Sequence, residues 1–488
     1  MSLSSPSSST ASAVDAASLL EQRIDKLPMS RHLWSLVLLL SLGTFFETYE
    51  LALTSLISPG LVQAGIFAKE HGMFGLPDQA TFAAATFLGM FVGAMVLGRV
   101  ADRIGRKRAF TGSILLYTLA TLAMALQHNA LGIDVCRFVA GIGLGAEIVT
   151  VDAYLAELVP ARFRGRAFAF ATFVQFLAVP IVGGLSYVLV PRHPFEIDGW
   201  RWICFIGTAG GVLVLLTRMR LPESPRWLAQ RGFLQRAAQI IGTIERKSGL
   251  RVEPLMHVTP DERPSVAPQG ASPSLFDPLW RRRVVMLTFS HVFITIGFFG
   301  FASWLPALLA AQGHSIVKSF EFTFYISLCY PLCPLLFMFF ADRIERKWQL
   351  VGGTLASAVL GIMFGQQTGS IGIVAFGLGV TVCNLLVAYG IHTYQSELFP
   401  SVIRAKAVGF VYGWGRLATV FSSLVIGYLL QTGGTNAVFA FLAACFVAVA
   451  LLIGWMGPRT LNSAMAKESG AEQPRQLSPT GRFTDSAT

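Results

Sequence analysis

Apolar and polar residues follow one another along this chain in long blocks. Apolar runs of about 20 residues, each long enough to cross a ~30 Å hydrocarbon layer, recur over most of its length. Twelve are predicted to be helices, at 33–56, 80–100, 109–127, 132–157, 166–190, 200–219, 283–308, 320–340, 348–366, 371–395, 406–430 and 435–457. One longer polar stretch, 221–281, interrupts them. Its first part, Pro225 to Arg246, spaces Trp227, Leu228, Phe233, Ala237, Ile240 and Ile244 as an amphipathic helix does. Its second part carries Pro254, Pro260, Pro264, Pro268 and Pro273 and reads as a linker. The predicted organisation is a disordered tail (1–29), a six-helix bundle (30–220), a central loop (221–281), a second six-helix bundle (282–457) and a second disordered tail (458–488). Residues 1–18 are rich in Ser and Ala and lack the apolar centre of a signal peptide.

Composition agrees with a chain bathed in lipid: 53% hydrophobic residues against 13% charged, with a mean hydropathy of +0.58. The net charge of +11 would suit a nucleic-acid partner, but its placement argues for topology. Arg99, Arg103, Arg106, Lys107 and Arg108 share one short loop. Arg162, Arg164 and Arg166 share another, and Arg343, Arg346 and Lys347 a third. All three fall on the side that holds both termini, whereas the opposite loops carry few cations, notably Lys69, Arg192 and Lys318. Cytoplasmic loops are the ones enriched in Lys and Arg, so both termini are expected in the cytoplasm and no nucleic acid is expected as partner. The six cysteines all lie in apolar segments. Cys329 and Cys333, one turn apart without a nearby His, read as packing and not as a metal site. No Asn-x-Ser/Thr sequon occurs, in keeping with a bacterial inner membrane.

Two motifs repeat at one offset. Asp102-Arg103-Ile-Gly-Arg106-Lys107 returns 240 residues later as Asp342-Arg343-Ile-Glu-Arg346-Lys347. Glu157-Leu-Val-Pro160 with Arg164 returns at the same distance as Glu397-Leu-Phe-Pro400 with Arg404. Each copy sits after the second or the fourth run of its half, which predicts two parallel six-helix repeats related about an axis along the membrane normal.

The segment Gly98-Arg-Val-Ala-Asp102-Arg103-Ile-Gly105-Arg106-Lys107 resembles the signature loop of the major facilitator superfamily, and Pro222-Glu-Ser-Pro-Arg-Trp227 resembles its sugar-porter and aromatic (organic) acid:proton symporter branches. The likeness covers about 30–457. It implies an all-α membrane protein of twelve helices that moves one small solute by alternating access, as a monomer and with no cofactor. It also implies that Gly98, Asp102, Arg103 and Arg106, with Asp342 and Arg343, form a breakable clamp joined by Glu157, Arg164, Glu397 and Arg404. Met338 stands where Gly98 does and Glu345 where Gly105 does, so the second copy is expected to hold less firmly.

Charges within the apolar runs are costly and point to function. Gly43, Glu47, Glu50 and Thr54 share one helix face in the first run. Glu47 and Glu50 lie roughly 21 and 25 Å into that helix, and Arg137 of the fourth run comes to about the same level. Phe45-Phe46-Glu47-Thr48-Tyr49-Glu50 resembles the Asp-Gly-Tyr-Asp motif of aromatic-acid symporters, and Cys136-Arg137-Phe-Val-Ala-Gly141-Ile-Gly143-Leu-Gly145 resembles the segment bearing its arginine partner. The likeness implies that Glu47 or Glu50, paired with Arg137, couples transport to a proton; a static ion pair is the competing reading. Glu147 and Asp152 lie further along the same run.

Arg416 lies roughly 16 Å into the eleventh run, at the midplane. Gly413-Trp414-Gly415-Arg416-Leu417 resembles the arginine-bearing span of organic-acid symporters, and its planar fork suits a carboxylate. Pairing with a distant glutamate is the alternative. In the tenth run Asn384, His392 and Gln395 share a face, with Tyr389 beside them. Gln175 and His291 are further cavity candidates. Where sugar porters carry a glutamine pair and an asparagine, this chain has Phe293, Ile294 and Phe299, followed by Trp304. A wall so short of hydrogen-bonding groups suits an organic anion better than a sugar. The expected function is proton symport of a carboxylate or aromatic acid. A sugar or polyol symporter, a proton-coupled drug efflux antiporter and a non-transporting membrane sensor are the alternatives. An ATP-driven pump is excluded by the lack of a Gly-x-x-x-x-Gly-Lys-Ser/Thr loop, and no enzyme activity is expected.

Overall fold

A computed structural model describes residues 19–20, 22–68, 72, 75–218, 221–250, 275–340, 344–399 and 401–460. Within these ranges the side chains at 97–104, 106, 148–150, 152–153, 218, 230, 279, 338–340, 396, 401–402 and 404–405 lie outside the description. Every predicted run is helical. Spans 1 to 4 are Arg31–Leu56, Asp78–Ile104, Arg106–Ala125 and Ala130–Leu158, and span 6 is Gly199–Arg218. Spans 9 and 10 are Arg346–Gly365 and Ser370–Leu398. Spans 11 and 12 run together over Ser401–Met456 and are divided at Gly434, whose φ of 67 is left-handed. Ten helices among the described residues are long and apolar enough to cross a membrane. Spans 11 and 12 count once in that ten, and span 4 is excluded because Asp134, Arg137 and Glu147 interrupt its apolar run.

Spans 5, 7 and 8 are each broken where an unbroken helix was expected. Span 5 divides into Arg164–Phe176 and Ala178–Leu189, span 7 into Pro278–Ala302 and Leu305–Ala311, and span 8 into Ile316–Ser327 and Leu332–Phe340. A proline cannot donate to the carbonyl four residues back, and its ring collides with it. Counting back four from Pro180, Pro306 and Pro331 gives Phe176, Ala302 and Ser327, the last residues of the three first segments.

Spans 2 and 4 pack backbone to backbone. A Cβ added at Gly93 would lie 2.0 Å from the Ile142 carbonyl oxygen, and one at Gly145 would lie 2.0 Å from that of Met90. Gly89 and Gly93 on one helix thus face Gly141 and Gly145 on the other, a small-residue contact that lets helices approach without help from water. The 240-residue repeat extends to contacts. The Tyr154 hydroxyl donates to the Pro222 carbonyl, and that of Tyr394 to the Pro458 carbonyl at 2.8 Å. Even numbers of passes bring both termini to one face. At the opposite face the halves are packed together. Phe320 of span 8 joins Phe67, Phe82 and Trp200, and Ala80 of span 2 joins Trp304, Leu305 and Ile426.

The tail predicted over 1–29 needs correction. Residues 22–26 are helical, and Leu20 and Ile24 are buried against Leu228, Leu234, Ala237 and Ile241 of the central loop. That loop forms helices Pro225–Gln230 and Leu234–Lys247. Arg23 grips Glu245 with contacts of 3.0 and 2.6 Å, and Asp25 takes the Arg226 guanidinium at 2.7 Å. The proline-rich stretch 251–274 and residues 461–488 lie outside the described residues.

Candidate functional site

The first centre is built on span 1. Its Glu50 and Arg137 of span 4 are the most enclosed ion pair among the described residues, with side chains 1% and 0% exposed and Nη1 at 3.1 Å from Oε2. Glu50 Oε2 also accepts the Thr121 hydroxyl of span 3 at 2.7 Å. Arg137 also donates to the Glu50 backbone carbonyl, to Thr54 Oγ1 at 2.8 Å and to Thr86 Oγ1 at 3.2 Å. Its guanidinium also lies 5.8 Å from the centre of the Phe82 ring. Burying two ions costs several kcal/mol each unless geometry is good and further hydrogen bonds saturate them. Here the arginine makes four hydrogen bonds from its five N–H donors, while Glu50 Oε1 has no hydrogen-bond partner. Four spans therefore hold a cation in place around an acid with one free oxygen.

Glu47 stands apart from this pair. It is buried, and its charge acts on Arg416 of span 11, across the junction of the two halves. The second centre surrounds that arginine. The Arg416 guanidinium lies 5.3 Å from the centre of the Phe299 ring, and Phe299 in turn meets Phe87 of span 2 edge-on at 5.0 Å. Arg416 Nη1 is enclosed and has no hydrogen-bond partner. Tyr412, one turn earlier, receives or gives a hydrogen bond at His392 Nε2, 2.8 Å away. The rings of Tyr412 and His291 are 4.5 Å apart. Gln395 Nε2 lies 3.5 Å from His291 Nδ1. Gly415 admits His291 to this corner, since a Cβ there would stand 2.5 Å from its ring. His392 is exposed and Arg416 half-buried, so the cluster keeps contact with solvent.

Other predicted residues scatter around these centres. Asn384 is buried, with Oδ1 lacking a hydrogen-bond partner, and Tyr389 leans on Phe337 of span 8. Gln175 is half-buried beside the span 5 break, where Phe176 meets Tyr330 of the other half with ring centres 5.7 Å apart. Trp304 is buried in the plug at the face away from the termini, apart from the Arg416 cluster. Glu147 is buried, while the Asp152 side chain is outside the described residues.

Of the predicted clamp, Asp342 and Arg343 and the side chains of Asp102, Arg103, Arg106 and Arg404 are outside the described residues. Gly98 lies within span 2. Arg164 Nε donates to the Val159 carbonyl at 3.4 Å, Glu157 is half-buried, and Glu397 lies 3.6 Å from Arg346 Nε. Gly105 has a φ of 101, and a Cβ on it would be 2.6 Å from Glu223 Oε2. Glu223, from the Pro222–Trp227 motif, accepts the Lys107 N–H at 3.0 Å. Tyr412 and Thr121 were not singled out in the sequence. Tyr412 had a readable signal in its four-residue spacing to Arg416; Thr121, one hydroxyl in an apolar run, had none.

The chain matches the profile described as sugar (and other) transporter over residues 36–467. It is 31% identical to a putative metabolite transport protein, YyaJ, of Bacillus subtilis (strain 168), over 90% of this chain and 95% of that one. It is 28% identical to the niacin transporter NiaP of Acinetobacter baylyi, over 90% and 97%. Relatives also include the 4-hydroxybenzoate transporter of Acinetobacter baylyi, 26% identical over 86% and 89%. The gallate transporter of Pseudomonas putida is 27% identical over 90% and 95%. Among solved structures, the xylose transporter XylE from E. coli in a partially occluded inward open conformation superposes with a TM-score of 0.71 at 19% identity. The superposition covers 88% of this chain and 99% of that one. With twelve helices in two repeats and a profile match spanning nearly all of them, the chain belongs to the sugar (and other) transporter family, within the major facilitator superfamily.

Proposed function

We propose that this membrane transporter carries a small organic carboxylate, aromatic acids foremost, together with a proton, by rocking its two halves about the central site. Glu50 is the proton carrier, with Arg137 as the cation it leaves and rejoins. Arg416 receives the substrate carboxylate, flanked by His392, Tyr412 and Gln395, and Phe299 offers an apolar wall to an aromatic ring. Both termini face the cytoplasm, by the distribution of Lys and Arg.

The observation that carries this reading is the Arg416 guanidinium, packed on Phe299 with Nη1 unpartnered. A half-buried cation with an enclosed, unpartnered donor in a site that solvent can reach is fitted for an anionic guest. Relatives whose names specify niacin, 4-hydroxybenzoate and gallate support the choice of aromatic acids. The scarcity of hydrogen-bonding groups at Phe293, Ile294 and Phe299 argues against a sugar.

Thermal unfolding of the purified protein with nicotinate, 4-hydroxybenzoate, acetate, xylose or a lipophilic cation tests the substrate class. A carboxylate is expected to raise the unfolding temperature, more at mildly acidic than at neutral pH. Stabilisation by xylose or by the cation, with none by carboxylates, would overturn the reading.

A further inference from the structure

We infer that His291 and His392 form a second proton-loading centre, filled when an anion occupies Arg416, so that the carboxylate travels with a proton in the C-terminal half besides the one at Glu50. This rests on the carboxylate reading above. Three spans build the centre. His291 comes from span 7, His392 and Gln395 from span 10, and Tyr412 and Arg416 from span 11. Tyr412 stands between the two imidazoles, in contact with one ring at 4.5 Å and hydrogen-bonded to Nε2 of the other at 2.8 Å. The phenol hydroxyl can accept from a protonated His392, whereas His291 meets Tyr412 through its ring face and has Gln395 Nε2 at 3.5 Å from its Nδ1.

The charges around the centre set when it loads. Arg416 acts on both histidines, and Glu47 of span 1 acts on Arg416 from the other half. Beside a permanent guanidinium charge, a second cation is repelled until a negative charge arrives. A carboxylate on Arg416 supplies that charge, and histidine is the side chain whose proton affinity lies within reach of physiological pH. The proton comes from water through the solvent-accessible face of His392, binds an imidazole nitrogen, and returns to water when the anion leaves. No bond other than N–H is made or broken. Glu50 and Arg137 lie in the other half, in an enclosure of their own, so the two protons load independently.

The test uses the full chain carrying Glu50→Gln, in weakly buffered detergent at neutral pH with a pH indicator, and the ligand is nicotinate or 4-hydroxybenzoate. Ligand addition is expected to withdraw about one proton per bound ligand from solution. Adding His291→Gln and His392→Gln should bring proton uptake per bound ligand close to zero, with the amount bound measured in the same samples at saturating ligand. Uptake that is absent with Glu50→Gln alone, or unchanged in the triple variant, overturns the inference and leaves the carboxylate reading standing. If neither ligand stabilises the wild-type protein, both fall. Should Glu50→Gln fail to fold, the readout becomes membrane voltage in liposomes. One carboxylate with two protons carries net positive charge, so an inside-negative potential should speed wild-type uptake and leave uptake by the His291→Gln, His392→Gln protein unchanged. Equal voltage dependence in both overturns the inference.

Discussion

Replacing Glu50 by glutamine is expected to cut uphill accumulation of the carboxylate far below the wild-type level, to what the proton at the histidine centre alone can drive, while leaving exchange of labelled for unlabelled substrate intact. The amide keeps the side chain's shape and can still accept from Thr121, whose hydroxyl lies 2.7 Å from Oε2. What it loses is the ability to alternate between a charged state paired with Arg137 and a neutral, protonated one. A carrier fixed in the neutral state at position 50 still shuttles substrate down its gradient but has lost one of the two protons through which a proton gradient can act. Removing one partner of a buried pair costs about 3–5 kcal/mol, so the variant's unfolding temperature must be measured beside its transport. Glu47→Gln is the contrast: Glu47 acts on Arg416 and takes no part in the Arg137 pair, so accumulation should persist. Accumulation at the wild-type level in Glu50→Gln would place the proton elsewhere.

Replacing Arg416 by alanine is expected to weaken carboxylates about ten- to a hundredfold, from the roughly 1.5–3 kcal/mol carried by a hydrogen bond to a charged group. Nicotinamide and 4-hydroxybenzamide, of the same shape but uncharged, should lose much less. The discrimination between acid and amide is the informative quantity, because alanine also removes the packing of the guanidinium on Phe299, which every ligand would feel. Binding of each acid and its amide to wild-type and variant protein measures it. Equal losses for both would assign Arg416 to structure, with Glu47 as its resident partner.

The architecture was legible because a bilayer leaves few options: long apolar runs must be helices, and two motifs at one offset in the sequence require two equivalent halves. The breaks in spans 5, 7 and 8 had a signal in Pro180, Pro306 and Pro331, which periodicity alone passes over. The short helix at 22–26 was readable too, since Leu20, Ile24 and Leu27 fall on one helical face, but the Ser-rich residues before it suggested disorder throughout.

The central charges were legible as a group and not as pairs. Glu47 and Glu50 are three residues apart, hence only about 60° apart around the helix, and one-dimensional spacing puts them on one face. In the folded chain that angle is enough to turn Glu50 to spans 3 and 4 and Glu47 toward span 11. The histidine cluster was seen as two separate residues, because spans 7 and 10 come together only through the fold.

Proton coupling is the central claim, and its most direct test is proton movement driven by substrate alone. Liposomes containing the protein and an internal pH dye, with no imposed pH gradient, are exposed to nicotinate or 4-hydroxybenzoate, whichever stabilises the protein. The account predicts that the lumen acidifies as the carboxylate enters, faster than in protein-free liposomes and in step with uptake of the label. Entry of the label at a protein-dependent rate, with lumen pH following the protein-free control, would contradict it and leave a uniporter.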